Sequence, residues 1–84
     1  MSQKQINASL TLAQWQTVKD ELQSEYNFTL TRDVDSQTKD GVTVHWNYDG
    51  AKLSVTVSGG FLVAILVAEV ASKIQAIIAK AETA

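Results

Sequence analysis

The hydrophobic positions of this 84-residue chain change period several times, and each change marks an element. Ile6-Asn-Ala-Ser-Leu10 alternates apolar and polar, which fits a short strand or an ordered arm over residues 1–8 leading into a helix. From Trp15 the period lengthens. Trp15, Val18, Leu22 and Tyr26 fall at i, i+3, i+7 and i+11, one stripe of a helix, while Gln16, Lys19, Asp20, Gln23 and Ser24 take the other side. Thr11 precedes this stripe as an N-cap, with Gln14 at capping-box spacing and Leu10 and Trp15 at hydrophobic-staple spacing. Together they predict a helix over 12–25.

Period two returns in Phe28-Thr-Leu-Thr-Arg-Asp-Val34, which predicts a strand. The polar stretch from Asp35 to Gly41 predicts a surface loop. Next come two alternating runs about Asp49-Gly50, in VTVHWNYDGAKLSVTV over 42–57. Asp-Gly suits a two-residue hairpin turn because glycine tolerates positive φ. That turn pairs Tyr48 with Ala51, Trp46 with Leu53, Val44 with Val55 and Val42 with Val57, all on one face. The opposite face receives Asn47 with Lys52, His45 with Ser54 and Thr43 with Thr56. Both strands agree on the apolar face, and a one-residue slip would destroy that agreement.

The last segment predicts a long helix over 60–82, opened by Ser58 or by Gly59-Gly60. At about 100° per residue, Val63, Leu66, Val67, Val70, Ile74, Ile77, Ile78 and Ala81 share one side. This is the core face expected against Val44, Trp46, Leu53 and Val55. Glu69, Ser72, Lys73 and Lys80 mark the other side, yet Phe61, Leu62 and Ile65 point the same way as these polar residues. The early turns are therefore apolar nearly all round, a pattern normal for buried helix. Either the 35–41 loop or the N-terminal arm folds over Phe61 and Leu62, or these residues and Ile65 form an exposed patch for a second subunit, a partner protein or an apolar ligand. The resulting fold class is α+β: a two-layer sandwich in the order (β)-α-β-β-β-α, with an antiparallel sheet and a long C-terminal helix.

Length narrows the picture to a single domain over 1–84, one small enough to bury only about 60% of its unfolded surface. With no cysteine, neither disulfides nor thiolate–metal sites can staple it, which raises the weight of self-association. Seven basic residues stand against nine acidic ones, for a net charge of −2. The basic residues are scattered, so no positive stripe forms to displace counterions from a phosphate backbone, and nucleic acid is not an expected partner. Residues 1–6 lack the apolar core of a signal peptide. The apolar run at 61–68 is well short of the roughly 20 residues that cross a bilayer. The expectation is a cytoplasmic protein with no membrane span.

Candidate chemistry is sparse. His45, the single histidine, falls on the polar sheet face, where no third group or pocket orients it against Ser54. Asp33-x-Asp35-x-Gln37 begins like a calcium loop, but Thr38 and Val44 occupy the positions that need glycine and glutamate, which leaves Asp33, Asp35 and Asp40 as solvated loop charges. Gly59-Gly60 could offer amides to an anion, yet the spacing and lysine of a phosphate loop are missing, so a tight strand-to-helix turn is the simpler reading. No catalytic, cofactor-binding or metal-binding residue is expected.

The stretch YDGAKLSVTVSGGFLVAILVAEVASKIQAII, residues 48–78, resembles the small bacterial polyhydroxyalkanoic acid system proteins. In that family an alternating strand runs into a Gly-Phe-Leu-Leu-like helix start, echoed here by Gly60-Phe61-Leu62 and by Lys73-Ile74 through Ile77. The family's basic, histidine-bearing first strand is absent, and Phe28 to Val34 stands where it has a Trp-x-Gly strand. The resemblance implies a non-enzymatic, granule-associated protein and transfers no catalytic residue. The expected function is thus that of a small non-enzymatic binding or assembly protein, granule- or phage-associated. It would act by protein–protein contact at Phe61, Leu62 and Ile65 as a homodimer or with a protein partner. The alternative is a carrier of a small apolar ligand held between sheet and C-terminal helix.

Overall fold

The structure, a computed structural model, describes residues 2–30 and 32–83. Its elements run β1 (Ser2–Ser9), α1 (Leu12–Tyr26), β2 (Val34–Lys39), β3 (Val42–Tyr48), β4 (Lys52–Gly59) and, after a single 3-10 turn at Phe61–Val63, α2 (Ala64–Glu82). The strands form one antiparallel sheet in the order β1-β4-β3-β2. The sheet turns its apolar face to the helices, which makes the protein an α+β two-layer sandwich ending in a long helix. The N-terminal arm is a full edge strand, paired with β4 from Ser2 opposite Gly59 to Ser9 opposite Lys52.

Alternation in β3 and β4 dictates the core. Val42, Val44, Trp46, Tyr48, Leu53, Val55 and Val57 are all buried beneath Trp15, Val18 and Leu22 of α1 and Val67, Ile74, Ile77 and Ile78 of α2. Each large buried aromatic with a polar atom has a partner, as burial without one would cost a few kcal/mol. Trp15 Nε1 donates to Asp33 Oδ1 (2.9 Å), Trp46 Nε1 to the Arg32 carbonyl (2.8 Å) and the Tyr48 hydroxyl to the Leu10 carbonyl (2.9 Å). The last two bonds pin the chain on either side of α1 to β3, and the first ties α1 to Asp33. Thr11 and Gln14 close the capping box: the Gln14 amide donates to Thr11 Oγ1 (3.2 Å) and the Thr11 amide to Gln14 Oε1 (2.8 Å).

Four expectations need correction. The strand between helix and hairpin is Val34–Lys39, not 28–34, so the polar stretch expected as a loop is strand and Asp35 lies within it. Phe28 and Leu30 alternate because they line an extended crossing that covers the core: Leu30 is buried and Phe28 meets Trp46 edge-on at 5.8 Å. Thr31, within the expected strand, lies outside the described residues, as do Met1 and Ala84.

Second, the β3–β4 register is displaced by two residues: Tyr48 pairs with Leu53, Trp46 with Val55, Val44 with Val57 and Val42 with Gly59. Gly50 and Ala51 are the central residues of the turn. Asp49 Oδ1 accepts from the Ala51 (2.9 Å) and Lys52 (2.7 Å) amides, and the Asp49 amide donates to the Lys52 carbonyl (3.1 Å). A displacement of two keeps every side chain on its expected face. The two-residue Asp-Gly turn is instead Asp40-Gly41, both at positive φ (55° and 81°), and it joins β2 to β3. Third, the last α-helix starts at Ala64, after the 3-10 turn, and Leu66 is exposed rather than in the core. Fourth, Tyr26 continues the α1 stripe in sequence but is exposed at the helix end.

Candidate functional site: the exposed start of the last helix

Gly59 decides how the chain leaves the sheet. It makes the last pairs of β4, with Val42 on one side and Ser2 on the other. A Cβ there would lie 2.7 Å from Val63 Cγ2, 3.0 Å from Val67 Cγ2 and 3.1 Å from the Gly41 carbonyl. Only glycine lets α2 press this closely onto the strand ends. The Val63 amide then donates to the Gly60 carbonyl (3.1 Å), closing the 3-10 turn. Val63 packs inward against the core. Its two predecessors have no strand left to face.

Phe61 is 77% exposed, Leu62 86% and Ile65 80%, and Leu66 adds a surface 41% exposed. Neither cover considered from the sequence is available. The N-terminal arm is committed to the sheet edge as β1, and the 35–41 stretch is committed to the opposite edge as β2. At roughly 200 Å² for a fully exposed large apolar residue, these four side chains present about 500–600 Å², the upper end for a monomer's largest apolar patch.

Leu66 also borders an apolar groove of about 260 Å³ between α2 and the C-terminal end of α1, above β3. Leu22, Tyr26, Phe28, Val44 and Val70 line it, and Lys39, Asp40 and Lys73 stand at its rim. The Lys73 ammonium lies over the Tyr26 ring, 5.5 Å from its centroid. Sequence reasoning missed the groove because it assigned Leu66 to the core. The available signal was Leu66's position four residues after Leu62 and next to Ile65, at the edge of the apolar arc.

The helical segment Phe61–Glu82, whose most apolar 18-residue window has a mean hydropathy of 2.0, is long and apolar enough to cross a membrane by length and composition. The eight-residue run read from the sequence understated it, because Val70, Ile74, Ile77 and Ile78 beyond Glu69 keep the hydropathy high. The same segment supplies Val67, Ala71, Ile74, Ile77, Ile78 and Ala81 to the core, so removing it would uncover the inner face of the sheet.

Elsewhere the large exposed apolar side chains are Leu12 at the start of α1 and Val34 at the start of β2, and the rest of the surface is mainly polar. His45 is exposed on the outer sheet face, paired with Thr56 on β4 and Ser36 on β2. Asp33 accepts from Trp15 and lies 3.9 Å from the Lys19 ammonium. Among the described residues no three His, Cys, Asp or Glu side chains are grouped to hold a metal ion. Burial pushes the Tyr48 phenol above its ordinary pKa, helped by the charges of Asp33 and Asp49. The Lys52 and Ala51 amides hold the Asp49 carboxyl below the usual carboxylate range. Both shifts belong to the hairpin end, away from the apolar patch.

The fold and this patch define the class: a small α+β sandwich with an uncovered apolar helix start. No protein family, curated protein or solved structure matches the chain.

Proposed function

We propose that this is a non-enzymatic binding protein that works by protein–protein contact, through a surface centred on Phe61, Leu62 and Ile65, and that it self-associates. The reading is carried by the exposure of these three large apolar side chains, which no other described element covers. Leaving such a patch in water costs about 25 cal/mol per Å² relative to burying it, so contact with a second apolar surface is the favourable outcome. Sedimentation equilibrium across a hundredfold concentration range tests it. Wild type should form a dimer, and Leu62→Lys should remain folded and monomeric. If Leu62→Lys unfolds the chain, or if wild type stays monomeric throughout, the reading fails.

A second reading, a carrier of a small apolar ligand, is favoured by the groove beside Leu66. Its 260 Å³ lies just below the roughly 300–1,000 Å³ of typical small-molecule sites. Native mass spectrometry of the protein as purified separates the two readings: a bound small molecule of defined mass supports the carrier, whereas doubled mass alone supports assembly.

A further inference from the structure

The outward face of α2 extends the patch along the whole helix. Ile65, Ala68, Ser72, Ala76 and Ala79 are all exposed. At about 100° per residue they lie within about 60° of one line along the helix. A solvent-facing helix ordinarily carries its charges on that line. Here Glu69, Lys73 and Lys80 stand together on one flank and Glu82 alone on the other. The Lys80 ammonium is drawn to Glu21 of α1 (3.2 Å) and the Lys73 ammonium to the Tyr26 ring, both away from the line. The line is also symmetric in sequence about Ser72, with Ala68 and Ala76 four residues to either side and Ile65 and Ala79 seven to either side.

We infer that two copies of the chain pack α2 against α2, antiparallel, about a two-fold axis passing at Ser72. This rests on the self-association reading above and extends its surface from Phe61, Leu62 and Ile65 along the helix, with the axis at Ser72. In that arrangement Ile65 meets Ala79 of the partner subunit, Ala68 meets Ala76 of the partner subunit, and the two Ser72 side chains meet at the axis. Large faces small at both ends, so the helices can lie close together along the α2 length of about 28 Å. A parallel pairing would set Ile65 on Ile65 and alanine on alanine, a wedge with a gap at the C-terminal end. Charge agrees with the antiparallel choice. A two-fold axis places the Glu69 flanks of the two copies side by side, and along that seam the order is Glu69, Lys73 of the partner subunit, Lys73 and Glu69 of the partner subunit in steps of about 3 Å, so two opposite-charge neighbours enclose one like-charge pair. Neither Glu69 nor Lys73 has an ion-pair partner among the described residues. Phe61 and Leu62 then reach across the far end of the partner's helix and extend the contact toward the area of a standard interface, about 800 Å² per partner.

The absence of native cysteine makes disulfide trapping a clean test. Ser72→Cys, Ile65→Cys, Ala79→Cys and, as a collision control, Ser24→Cys on the outer side of α1 each replace an exposed residue. Circular dichroism checks that each variant is folded. Under mild oxidation at micromolar concentration, Ser72→Cys should link to itself at least about tenfold faster than Ser24→Cys. Cysteine at 65 or at 79 should link slowly alone and quickly when the two variants are mixed. Fast self-linking of Ile65→Cys, or a dimer in sedimentation whose Ser72→Cys links no faster than the control, would overturn the antiparallel geometry while leaving self-association standing. A wild-type chain that sediments as a monomer at every concentration would overturn both.

Discussion

The two ends of the segment after β4 are built from the same residue types and meet opposite fates. From Val67 onward the inward residues are sealed against the sheet, while Phe61, Leu62 and Ile65 stand in water. Hydropathy does not separate them; Ile65 and Ile74 are the same side chain. Position relative to the sheet does. Gly59 is the last paired residue of β4, and the turn that follows packs Val63 alone, half-buried, against the core before the strands run out. Burial in a small domain is therefore set by how far the opposing layer reaches, and apolar side chains beyond that reach become contact surface.

Substitutions at the two ends should differ in kind, and the sealed end should give the largest stability effects. Trp46→Ala removes a fully buried indole and orphans the Arg32 carbonyl, and should cost about 3–5 kcal/mol in urea denaturation. Gly59→Ala, at the boundary, forces a methyl group against Val63, Val67 and the Gly41 carbonyl. It should cost about 1–3 kcal/mol by the same measurement, and it should loosen the helix start first, visible as faster amide exchange at 61–64. Thr11→Ala opens the capping box of α1 and should cost about 1 kcal/mol in thermal unfolding.

A smaller effect is expected at the hairpin turn, as a pH dependence. Hydrogen bonds from the Lys52 and Ala51 amides depress the Asp49 pKa in the folded state. A depressed carboxylate stabilises the fold above its unfolded pKa, about 4, and loses that contribution as pH falls through its lower folded value. Wild type should therefore lose more stability in acid than Asp49→Ala, and the two pH profiles should run parallel above about pH 5. At the exposed end, Ile65→Lys should shift monomer stability by no more than about 0.5 kcal/mol.

Much of the fold was legible in the sequence because one face of it is apolar. The β3–β4 alternation exposed the hairpin even though the turn was misplaced: Asp49 spends its carboxylate on two turn amides, which moves the turn centre to Gly50-Ala51 and leaves the faces unchanged. α1 was legible from Thr11, Gln14 and the Trp15-Val18-Leu22 stripe. β2 was not, because it is exposed along its whole length and its residues bear no burial pattern. Its clearest mark was the Asp40-Gly41 pair. Phe28 and Leu30 imitated a strand because an extended cover over Trp46 alternates for the same reason that a strand does. At the candidate site, Phe61, Leu62 and Ile65 stood out as apolar positions on the charged side of a helix. Leu66 and the groove did not, since whether the edge of an apolar arc is covered depends on where α1 ends.

Sedimentation equilibrium of wild type beside Leu62→Lys, with circular dichroism on both, measures the account most directly. The expected result is a wild-type dimer that dissociates on dilution and a folded, monomeric Leu62→Lys. A Leu62→Lys that is folded and as dimeric as wild type would mean that the exposed helix start is not the contact surface.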